Sequence, residues 1–396
     1  MFGDVVTHTI GGGWGKDSPA DGDVAVRIIR GADFPEAERR DVSSFPVRFE
    51  PAKKTARRAL RPGDIVLETS GGTRDRPTGR TVLIHETMTS ASAEPLIPAS
   101  FCRLVRVDQT KAVPAFVYYA LQGLYSRGGT WEFQNTSTGI SNFQYELFQR
   151  NFSLPAHSIA EQEAIVEVLG ALDDKIAANT AFAATADELV RAEYAALSGR
   201  TMRVGDVADS PRSGVHPSTI DPHALYVGLE HLGRRNMWLS DGGEARDVTS
   251  AKSKFESDDV LFGKLRPYFH KVVAAPTAGI CSTDIVVVRA RNPWESSLLL
   301  AALSSDAVVE AVVAASEGTR MPRTSWKDLS AIEIRWPDPA DLELVSSRLD
   351  AIRAAVASHL VESQTLTATR DALLPHLMSG KLRVRDAEQI ASEAGA

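Results

Sequence analysis

The sequence has very little cysteine. Only Cys102 and Cys281 occur among its 396 residues, and they stand far apart. Two isolated cysteines exclude a disulfide framework and a cysteine-rich zinc site, so we expect both to be small buried apolar side chains. Runs of 18 apolar residues are also missing, and the opening Met1-Phe2-Gly3-Asp4 is not a signal peptide. These absences, with 43% apolar and 24% charged residues, predict a globular cytoplasmic protein that uses no membrane.

Motifs of the common catalytic classes are missing as well. The sequence has no Walker motif, no HExxH zinc motif and no GxSxG nucleophile motif. His270, His359 and His376 are isolated, so we expect them to be core or surface histidines. The glycine cluster Gly11–Gly15 predicts a turn and no phosphate-binding loop, because neither a GxGxxG nor a P-loop pattern follows. No catalytic residue and no metal ligand is predicted.

Negative charge is concentrated in two segments. The chain has a formal net charge of -7, yet residues 1–155 carry 19 basic against 17 acidic side chains, and residues 199–337 carry 17 of each. The excess acid lies in residues 156–198, with 8 acidic and 2 basic side chains, and in the residues from Asp338 onward, with 9 and 6. The two near-neutral segments therefore allow local cationic faces, as nucleic-acid binding would need.

Apolar residues in the two acidic segments repeat with the spacing of long packed helices. In residues 156–199 and in residues 338–383, alternating steps of four and three residues predict an apolar seam on each helix. Forty residues make a helix of roughly 60 Å, which is long for one face of an ordinary domain. We therefore expect the two helices to pack against each other. The predicted seam residues are Ile165, Leu169, Leu172, Ile176, Val345, Leu349, Ile352 and Val356.

The two halves of the chain repeat one order of features. An opening segment, two strands, a short helix and a polar stretch ending in proline occur in residues 1–155 and again in residues 200–337. For example, Pro62-Gly63-Asp64-Ile65-Val66 corresponds to Asp258-Asp259-Val260-Leu261-Phe262. Successive matches in one order predict an internal duplication, in which each mixed α/β domain is followed by one long helix. Residues 384–396 are predicted to form a C-terminal tail.

Three cationic stretches are the candidate nucleic-acid contacts. In the first half, Ser70–Arg80 is a glycine-rich loop between two predicted strands, and its arginines suit phosphate or guanine contact. In the second half, Gly263–Lys271 and Gly318–Lys327 interleave basic residues with aromatic ones. Solvated surface loops are the alternative in each case, and Tyr268 and Trp326 are expected to be packed rather than exposed. The predicted DNA-binding residues are Arg74, Arg76, Arg80, Lys264, Arg266, Tyr268, Lys271, Arg320, Arg323 and Lys327.

Four motifs in a fixed order give the sequence a resemblance to a known family. In chain order they are Pro77-Thr78-Gly79-Arg80, Leu154-Pro155 followed by Glu161-Gln162-Glu163-Ala164-Ile165, Gly263-Lys264-Leu265-Arg266-Pro267-Tyr268, and the stretch from Leu373 to Leu382. Over nearly its whole length the chain resembles the specificity subunit of type I restriction-modification systems. The resemblance implies a mixed α+β fold with two α/β target-recognition domains, each followed by a long helix. It also implies that the two helices pack as an antiparallel coiled coil in a pseudo-twofold molecule.

The sequence departs from the family pattern at two places. The second helix has Asp341-Leu342-Glu343-Leu344 where the first helix has its Glu-Gln pair. The family motif therefore does not determine at which residue the second helix begins. The first domain has the glycine-arginine loop in place of a Gly-Lys-Leu-Arg motif, so base-reading residues cannot be carried from one half to the other. Different loops in the two halves agree with the reading of two different half-sites.

The family resemblance implies a DNA-recognition and scaffold subunit without catalytic activity of its own. The implied partners are double-stranded DNA with a bipartite asymmetric target, two methyltransferase subunits and endonuclease/translocase subunits. S-adenosylmethionine, ATP and magnesium are expected only in those partner subunits, and this chain is expected to bind no cofactor. The motif Asn292-Pro293-Trp294 agrees with this expectation, because it lacks the second proline with which adenine methyltransferases hold a flipped base.

Two other functions stay open at this point. One is a stand-alone bipartite DNA-binding protein that acts without methyltransferase partners. The other is a helical protein-protein adaptor whose two α/β domains bind protein. Duplex binding distinguishes the adaptor from the other two functions, and co-purification with a methyltransferase distinguishes the subunit from the stand-alone binder.

Overall fold

The computed structural model describes residues 1–73, 76–136, 141–211, 213–315 and 322–395. Its contacts divide the chain into two compact units. Unit 1 comprises Met1–Ala178 and Glu362–Ala396, and unit 2 comprises Asn179–Val361. The division falls within both long helices, so each unit contains one α/β domain together with a part of each helix.

Short strands and helices alternate along the first part of unit 1. Its described strands are β1 (Val6–Gly11), β2 (Asp23–Ile29), β3 (Val47–Pro51), β4 (Ile65–Glu68), β5 (Ser70–Gly72), β6 (Thr81–Leu83), β7 (Leu96–Pro98), β8 (Cys102–Val107), β9 (Gln134–Thr136) and β10 (Ser141–Phe143). The helices among them are α1 (Phe34–Glu38), α2 (Ala52–Arg58), α3 (Glu86–Ala91), α4 (Pro114–Ser126) and α5 (Tyr145–Asn151). Proline starts α4 at a position where its missing N–H leaves no donor unpaired.

The centre of unit 1 is an antiparallel sheet with the strand order β1-β8-β4-β6. Strand β4 is apolar on both faces, and Ile65, Val66 and Leu67 are all buried because a core cluster covers each face. At the entrance of β4, Asp64 accepts two hydrogen bonds from Arg106 of β8, at 2.7 and 2.6 Å. This pair ties the start of the central strand to its neighbour. Two smaller sheets have the orders β3-β2-β7 and β5-β10-β9.

Unit 2 repeats this alternation of short strands and helices. Its described strands are β11 (Arg200–Arg203), β12 (Ala208–Asp209), β13 (Gly214–Val215), β14 (Leu225–Val227), β15 (Gly243–Glu244), β16 (Lys252–Phe255), β17 (Val260–Gly263), β18 (Val272–Ala274), β19 (Gly279–Cys281), β20 (Ile285–Ala290) and β21 (Glu333–Trp336). Its short helices, which follow α6 (Ile159–Ala195), are α7 (Val204–Val207), α8 (Ser296–Leu303), α9 (Asp306–Ala315) and α10 (Trp326–Ser330). Helix α8 is buried along its whole length, because it consists only of apolar and small residues.

The central sheet of unit 2 repeats the one in unit 1. Its antiparallel strand order is β12-β20-β17-β18, which matches β1-β8-β4-β6 position by position. Asp259 lies at the entrance of β17 and accepts two hydrogen bonds from Arg289 of β20, at 2.7 and 2.8 Å. The same carboxylate-guanidinium pair therefore occurs at the same place in both units. The predicted internal duplication is confirmed.

Unit 2 differs from unit 1 in its second sheet. Five strands have the order β13-β16-β19-β14-β15, and the pairing is parallel only between β14 and β19. In the described part of unit 1 the comparable sheet has the three strands β3-β2-β7. Strands β11 and β21 form a separate pair where the domain meets the long helices. The repeat is therefore close in the central sheet and loose around it.

The long helices are α6 (Ile159–Ala195) and α11 (Pro339–Met378). Ser158 and Glu161 fix the start of α6, because each side chain accepts a hydrogen bond from the other's backbone N–H as a capping box. Gly380, with a left-handed φ of 69°, follows the end of α11. Both helices end a few residues inside the predicted 156–199 and 338–383, because the chain turns at these glycine-containing ends.

The first half of α6 packs with the second half of α11 in unit 1. The buried cluster there contains Ile165, Leu169 and Leu172 of α6 with Leu366, Leu373 and Leu377 of α11, and Ile176 is half-buried beside it. Arg370 of α11 forms an ion pair with Asp173 of α6 at 2.8 Å. Opposite halves of the helices therefore meet in this unit.

The remaining halves of the two helices meet in unit 2. Its buried cluster contains Ala186 and Val190 of α6 with Leu349 and Val356 of α11, and half-buried Val345 and Ile352 pack against it. Glu193 of α6 lies 3.5 Å from Arg348 of α11. Since each half of α6 pairs with the opposite half of α11, the helices run antiparallel.

Residues 384–396, for which the sequence predicts a tail, contain the helix α12 (Val384–Glu393). Ala387 and Ala391 of α12 are buried in the same cluster of unit 1 as Leu373 and Leu377. The small alanine side chains allow the helix to lie close to the end of α11. The C-terminal segment is therefore a packed part of unit 1.

Both cysteines are buried, as predicted. Cys102 opens β8 and Cys281 closes β19. Burial raises the pKa of each thiol to about 12. Within the described ranges, no single helix is long and apolar enough to cross a membrane. One consecutive pair, Pro293–Leu303 and Asp306–Ala315, passes the same length and composition test only when it is joined across a bend of 67°.

Candidate nucleic-acid interface

In each unit, the loop after the central strand, β4 or β17, pairs with the segment just before the last short helix of the domain, α5 or α10. In unit 1, β5 pairs with β10, so that Gly72 lies opposite Ser141. In unit 2, Leu265 forms an isolated β-bridge with Arg323, just before α10. We call these regions loop pair 1 (residues 70–73 and 76–80 with 134–136 and 141–143) and loop pair 2 (residues 263–271 with 322–327). The two loop pairs lie at equivalent places in the repeat.

Backbone hydrogen bonds join the two cationic stretches of unit 2. The N–H of Arg266 donates to the Pro322 carbonyl at 2.9 Å, and the N–H of Thr324 donates to the Lys264 carbonyl at 3.0 Å. Stretches that are far apart in the sequence therefore contribute basic side chains to one place. This arrangement brings together most of the residues predicted to bind DNA in the second half.

A turn in loop pair 2 presents an aromatic side chain to solvent. Arg266 and His270 have left-handed φ angles of 51° and 53° at the two ends of the 3-10 turn Pro267–Phe269. Left-handed backbone is uncommon at residues other than glycine and is often found at functional sites. The turn leaves Tyr268 50% exposed, so the expectation that it is packed is wrong. Trp326 is half-buried against the core of unit 2, as expected.

Two of the predicted lysines are hydrogen-bonded within unit 2. Lys264 donates to the Thr283 carbonyl at 2.7 Å, and Lys271 donates to the Leu229 carbonyl at 2.5 Å. Burial lowers the pKa of the Lys271 amine, and the nearby charge of Arg234 lowers it further. These two side chains hold the loops in position, and a phosphate would have to compete with the backbone carbonyls.

The other described cations of loop pair 2 are more accessible. Arg323 forms a solvent-exposed ion pair with Asp284 at 2.9 Å. Arg266 and Lys327 are exposed. Arginine and lysine at such positions are free to approach phosphates or base edges. That these side chains contact DNA stays a prediction.

Loop pair 1 uses its arginines differently. Arg80 donates two hydrogen bonds to buried Glu68, at 2.9 and 2.6 Å, and a third to a backbone carbonyl. Its guanidinium therefore anchors the loop. Arg76 donates to the Gly71 carbonyl at 2.7 Å and is partly exposed, so it is the more accessible of the two. The predicted Arg74 of this loop, like Arg320 in unit 2, lies outside the described residues.

Two arginines beside loop pair 2 are not in the predicted set. The Arg234 guanidinium lies over the Phe269 ring, 4.0 Å from its centroid. Arg235 has a left-handed φ of 51° and forms an exposed ion pair with Asp306 at 2.9 Å. The adjacent arginines were a signal in the sequence, but only the folded chain shows that they lie beside the motif at Gly263–Lys271. They extend the cationic surface of unit 2.

Titratable side chains give no sign of a metal centre in the described part of the chain. No group of three or more His, Cys, Asp or Glu side chains among those residues could hold a metal ion. His270 is buried, with its Nε2 atom 2.8 Å from the Ser304 carbonyl oxygen, and burial lowers its pKa. This histidine therefore acts as a neutral hydrogen-bonding group within unit 2.

Comparison with known proteins finds a curated relative that matches part of the chain. No protein-family model matches the sequence. Over 155 residues the chain is 26% identical to the type I restriction enzyme EcoDI specificity subunit of Escherichia coli. The match covers 38% of this chain and 33% of that subunit, so the matched segment spans about a third of the length of the relative.

Solved structures extend the likeness over the chain. The S subunit of the type I restriction-modification system from M. genitalium is 14% identical and has a TM-score of 0.51, and the match covers 95% of this chain and 94% of that chain. At this identity the likeness shows the fold. The HsdS subunit from Thermoanaerobacter tengcongensis is 17% identical over 96% of each chain, but its TM-score of 0.35 adds nothing to this conclusion.

Two α/β domains with an antiparallel pair of long helices define the class of fold. It is the fold of the type I specificity subunit. The resemblance seen in the sequence motifs is confirmed by the curated relative and by the M. genitalium structure.

Proposed function

We propose that the chain is the DNA-recognition and scaffold subunit of a type I restriction-modification complex. The observation that carries the proposal is the presence of equivalent loop pairs in the two units, each placed beside the repeated central sheet. Each loop pair has an accessible arginine, Arg76 in unit 1 and Arg266 in unit 2. Arginine is the side chain best suited to guanine and phosphate contacts. The curated relative is a specificity subunit, which supports this role.

Two loop pairs with different side chains would read two different segments of duplex. The target would therefore be bipartite and asymmetric. Helices α6 and α11 contribute residues to both units and would determine the length of the unread gap, much as protein symmetry fixes half-site spacing in dimeric DNA-binding proteins. Base discrimination would come from the loops, and positioning from phosphate contacts.

Two methyltransferase subunits would dock on the long helices and would in turn bring endonuclease/translocase subunits. Two features of the helices support this docking. Residues 156–198 carry a strong excess of acidic side chains, and the helix segments of unit 2 expose large apolar ones. These exposed side chains are Phe182, Leu189, Leu344 and Val361. At a docking surface these side chains would be buried against the partner subunit.

The chemistry of the complex would reside in the partner subunits. S-adenosylmethionine would be bound by the methyltransferases, and ATP and magnesium by the endonuclease/translocase subunits. The sequence of this chain has no Walker motif, and its Asn292-Pro293-Trp294 is one proline short of the adenine-methyltransferase motif. The chain would contribute recognition and assembly without a catalytic residue.

The test is mass analysis of the complex that co-purifies with the tagged full-length chain, expressed beside its neighbouring genes. Two methyltransferase copies per chain are expected, together with binding to duplex DNA. If the chain is recovered alone and binds duplex DNA, its function is that of a stand-alone DNA-binding protein and not that of a subunit. A lone chain without affinity for duplex would contradict both DNA-binding functions and favour a protein-protein adaptor.

Surface variants refine this test. Leu189→Asp and Leu344→Asp place charge on the exposed apolar positions of α6 and α11 and are expected to reduce recovery of the methyltransferase. Duplex binding should be unchanged, because both positions lie outside the loop pairs. Ile390→Asp is a matched control, since Ile390 is also an exposed aliphatic residue but lies on α12. Equal recovery with all three variants would place the docking surface elsewhere.

A further inference from the structure

A cleft of about 730 Å³ lies beside loop pair 1 in unit 1. Its volume is within the roughly 300–1,000 Å³ of small-ligand pockets. Two large aromatic side chains line it, Trp14 with 42% and Phe101 with 62% of its surface exposed. Exposed aromatic rings in one cleft offer flat apolar surface on which another ring can stack.

The walls of this cleft are held in place by backbone contacts. The N–H of Gly12 donates to the Cys102 carbonyl at 2.9 Å, and the N–H of Thr69 donates to the Phe101 carbonyl at 2.8 Å. A β-carbon at position 12 would lie 2.0 Å from the Ala99 carbonyl oxygen, so only glycine permits the close approach. The segments that carry Trp14 and Phe101 are thus tied together and to the start of loop pair 1.

The indole ring of Trp14 is also anchored from its own side of the cleft. The guanidinium carbon of Arg48 lies 4.7 Å from the centroid of the ring, and Arg48 is itself paired with Asp17. A cation over the ring restricts its orientation. The exposed part of the indole is therefore held in a fixed orientation before any ligand binds.

Polar side chains complete the lining of the cleft. Buried Glu68 and its partner Arg80 are part of the lining, and so is Arg76, whose Nη2 atom lies 3.9 Å from Oε1 of Glu68. A carboxylate accepts hydrogen bonds and a guanidinium donates them. An aliphatic ligand would make no use of the remaining acceptor capacity of Glu68 or of the further N–H groups of Arg76, and a bare phosphate would leave the aromatic rings unused. A planar heteroaromatic ring with donors and acceptors on its edge matches both.

We propose that this cleft binds one unstacked nucleobase. The base would stack on Trp14 and Phe101, and its edge would form hydrogen bonds with Arg76 and the Glu68-Arg80 pair. The inference rests on the proposed DNA-recognition function and deepens it, because the base would come from the duplex beside loop pair 1. Proteins that hold an extruded base combine aromatic stacking with hydrogen bonds to the base edge in this way. Here the base would be held for recognition, by a chain with no predicted catalytic residue.

The experiment uses the full-length chain with two kinds of probe. The first is each of the four deoxynucleoside monophosphates, and the second is a set of labelled duplexes with one unpaired base, compared with the fully paired duplex of the same sequence. Tighter binding is expected for at least one monophosphate or one unpaired base. Trp14→Ala and Phe101→Ala should each weaken that binding about fivefold or more, as removal of a stacking ring does in single-strand binding proteins.

Two further variants serve as controls. Trp294→Ala removes a similarly exposed tryptophan, 46% exposed, from unit 2 and should leave the binding unchanged. Trp14→Phe keeps an aromatic ring in the cleft and should retain most of the binding that Trp14→Ala loses. This pair separates the loss of stacking from a general loss of folding.

The outcomes identify the source of the base. Binding of a monophosphate that depends on Trp14 supports the cleft as a site for free nucleotides as well as for bases in DNA. A preference for an unpaired base without monophosphate binding supports a base held only as part of a strand. Equal binding of paired and unpaired duplexes with no monophosphate binding overturns the inference and leaves the proposed DNA recognition standing. Monophosphate binding without any duplex binding keeps the cleft and contradicts the proposed function.

Discussion

Loop pairs 1 and 2 occupy the same position beside the same kind of sheet, yet different side chains build them. In loop pair 1, Arg80 is drawn into a buried pair with Glu68 and Arg76 is accessible. In loop pair 2, no buried carboxylate pairs with the described arginines, and Arg266 and Tyr268 are exposed at a left-handed turn. The strand order and the Asp-Arg pair of the central sheet occur in both units. The same central sheet can thus carry two surfaces of different chemistry, because the accessible side chains Arg76, Arg266 and Tyr268 lie outside its strands.

The central sheet of either unit can be destabilised by removing the carboxylate of its Asp-Arg pair, Asp64 or Asp259. Asp64→Ala leaves the Arg106 guanidinium without its carboxylate partner. Truncation of one member of a fully buried ion pair costs about 3–5 kcal/mol, and we expect the low end of this range because Arg106 is 25% exposed and keeps its hydrogen bond to the Ala59 carbonyl. Asp259→Ala is expected to cost less. Arg289 is more exposed than Arg106, 38% against 25%, and has Glu256 at 3.2 Å as a second partner. Denaturant unfolding measures both costs.

Asparagine variants are matched controls for this comparison. The amide oxygen of Asp64→Asn or Asp259→Asn still accepts one of the two hydrogen bonds, so each should lose less stability than the alanine variant. Hydrogen exchange should show the loss in the unit that carries the substitution. Equal losses for Asp64→Ala and Asp259→Ala would show that Glu256 does not act as a substitute partner.

Each unit contains one buried cysteine, so the pH dependence of the free energy of unfolding can be compared between the two units. Burial raises the pKa of both thiols from 9.0 to about 12. Between these values the unfolded chain has lost a thiol proton that the folded chain keeps, so the free energy of unfolding decreases as pH rises above 9. Each thiol contributes up to about 1.4 kcal/mol per pH unit. Cys102→Ala and Cys281→Ala should each remove the contribution of one thiol to the decrease in the free energy of unfolding between pH 9 and 10. An unchanged slope in both variants would argue against burial as its cause.

The smallest effect is expected when a single phosphate contact is removed from loop pair 2. The salt dependence of duplex binding then distinguishes a phosphate contact from a base contact. Lys327→Ala should weaken binding to all duplexes alike and reduce the slope of log affinity against log salt by about 1. Arg291→Ala is the control, since Arg291 is exposed in unit 2 but lies outside the loop pairs. Titrations with labelled duplex at several salt concentrations measure the slope. A sequence-dependent loss with Lys327→Ala would reassign Lys327 to base reading.

The long helices and individual strands of the central sheets were predictable because their signals are local. The apolar spacing that predicts each long helix lies within one continuous segment, residues 156–199 or 338–383. Likewise, a turn with Asp64 or Asp259 directly precedes each central strand. The order of these signals predicted the duplication. The helix α12 was not predicted, because only ten residues carry its pattern and its buried alanines do not stand out as apolar.

The geometry of the candidate site could not be predicted from the sequence for a different reason. The pairing of Gly72 with Ser141 joins segments that are far apart in the chain. The same holds for the contact of Arg234 with Phe269. The exposure of Tyr268 depends on left-handed backbone at arginine and histidine, and no glycine in the sequence signals such a turn. Long-range pairing and unusual backbone angles thus decided which predicted cations are accessible.

We infer that each unit would read its own half of a DNA target. The most direct test selects preferred sequences from random duplexes with the wild-type complex and with Arg76→Ala and Arg266→Ala. We expect the wild type to select a two-part motif, Arg76→Ala to relax one position in one part, and Arg266→Ala to relax one position in the other, each by about 1–3 kcal/mol. Arg291→Ala should leave the motif unchanged. Relaxation of the same part by both variants, or of neither part, would contradict the claim.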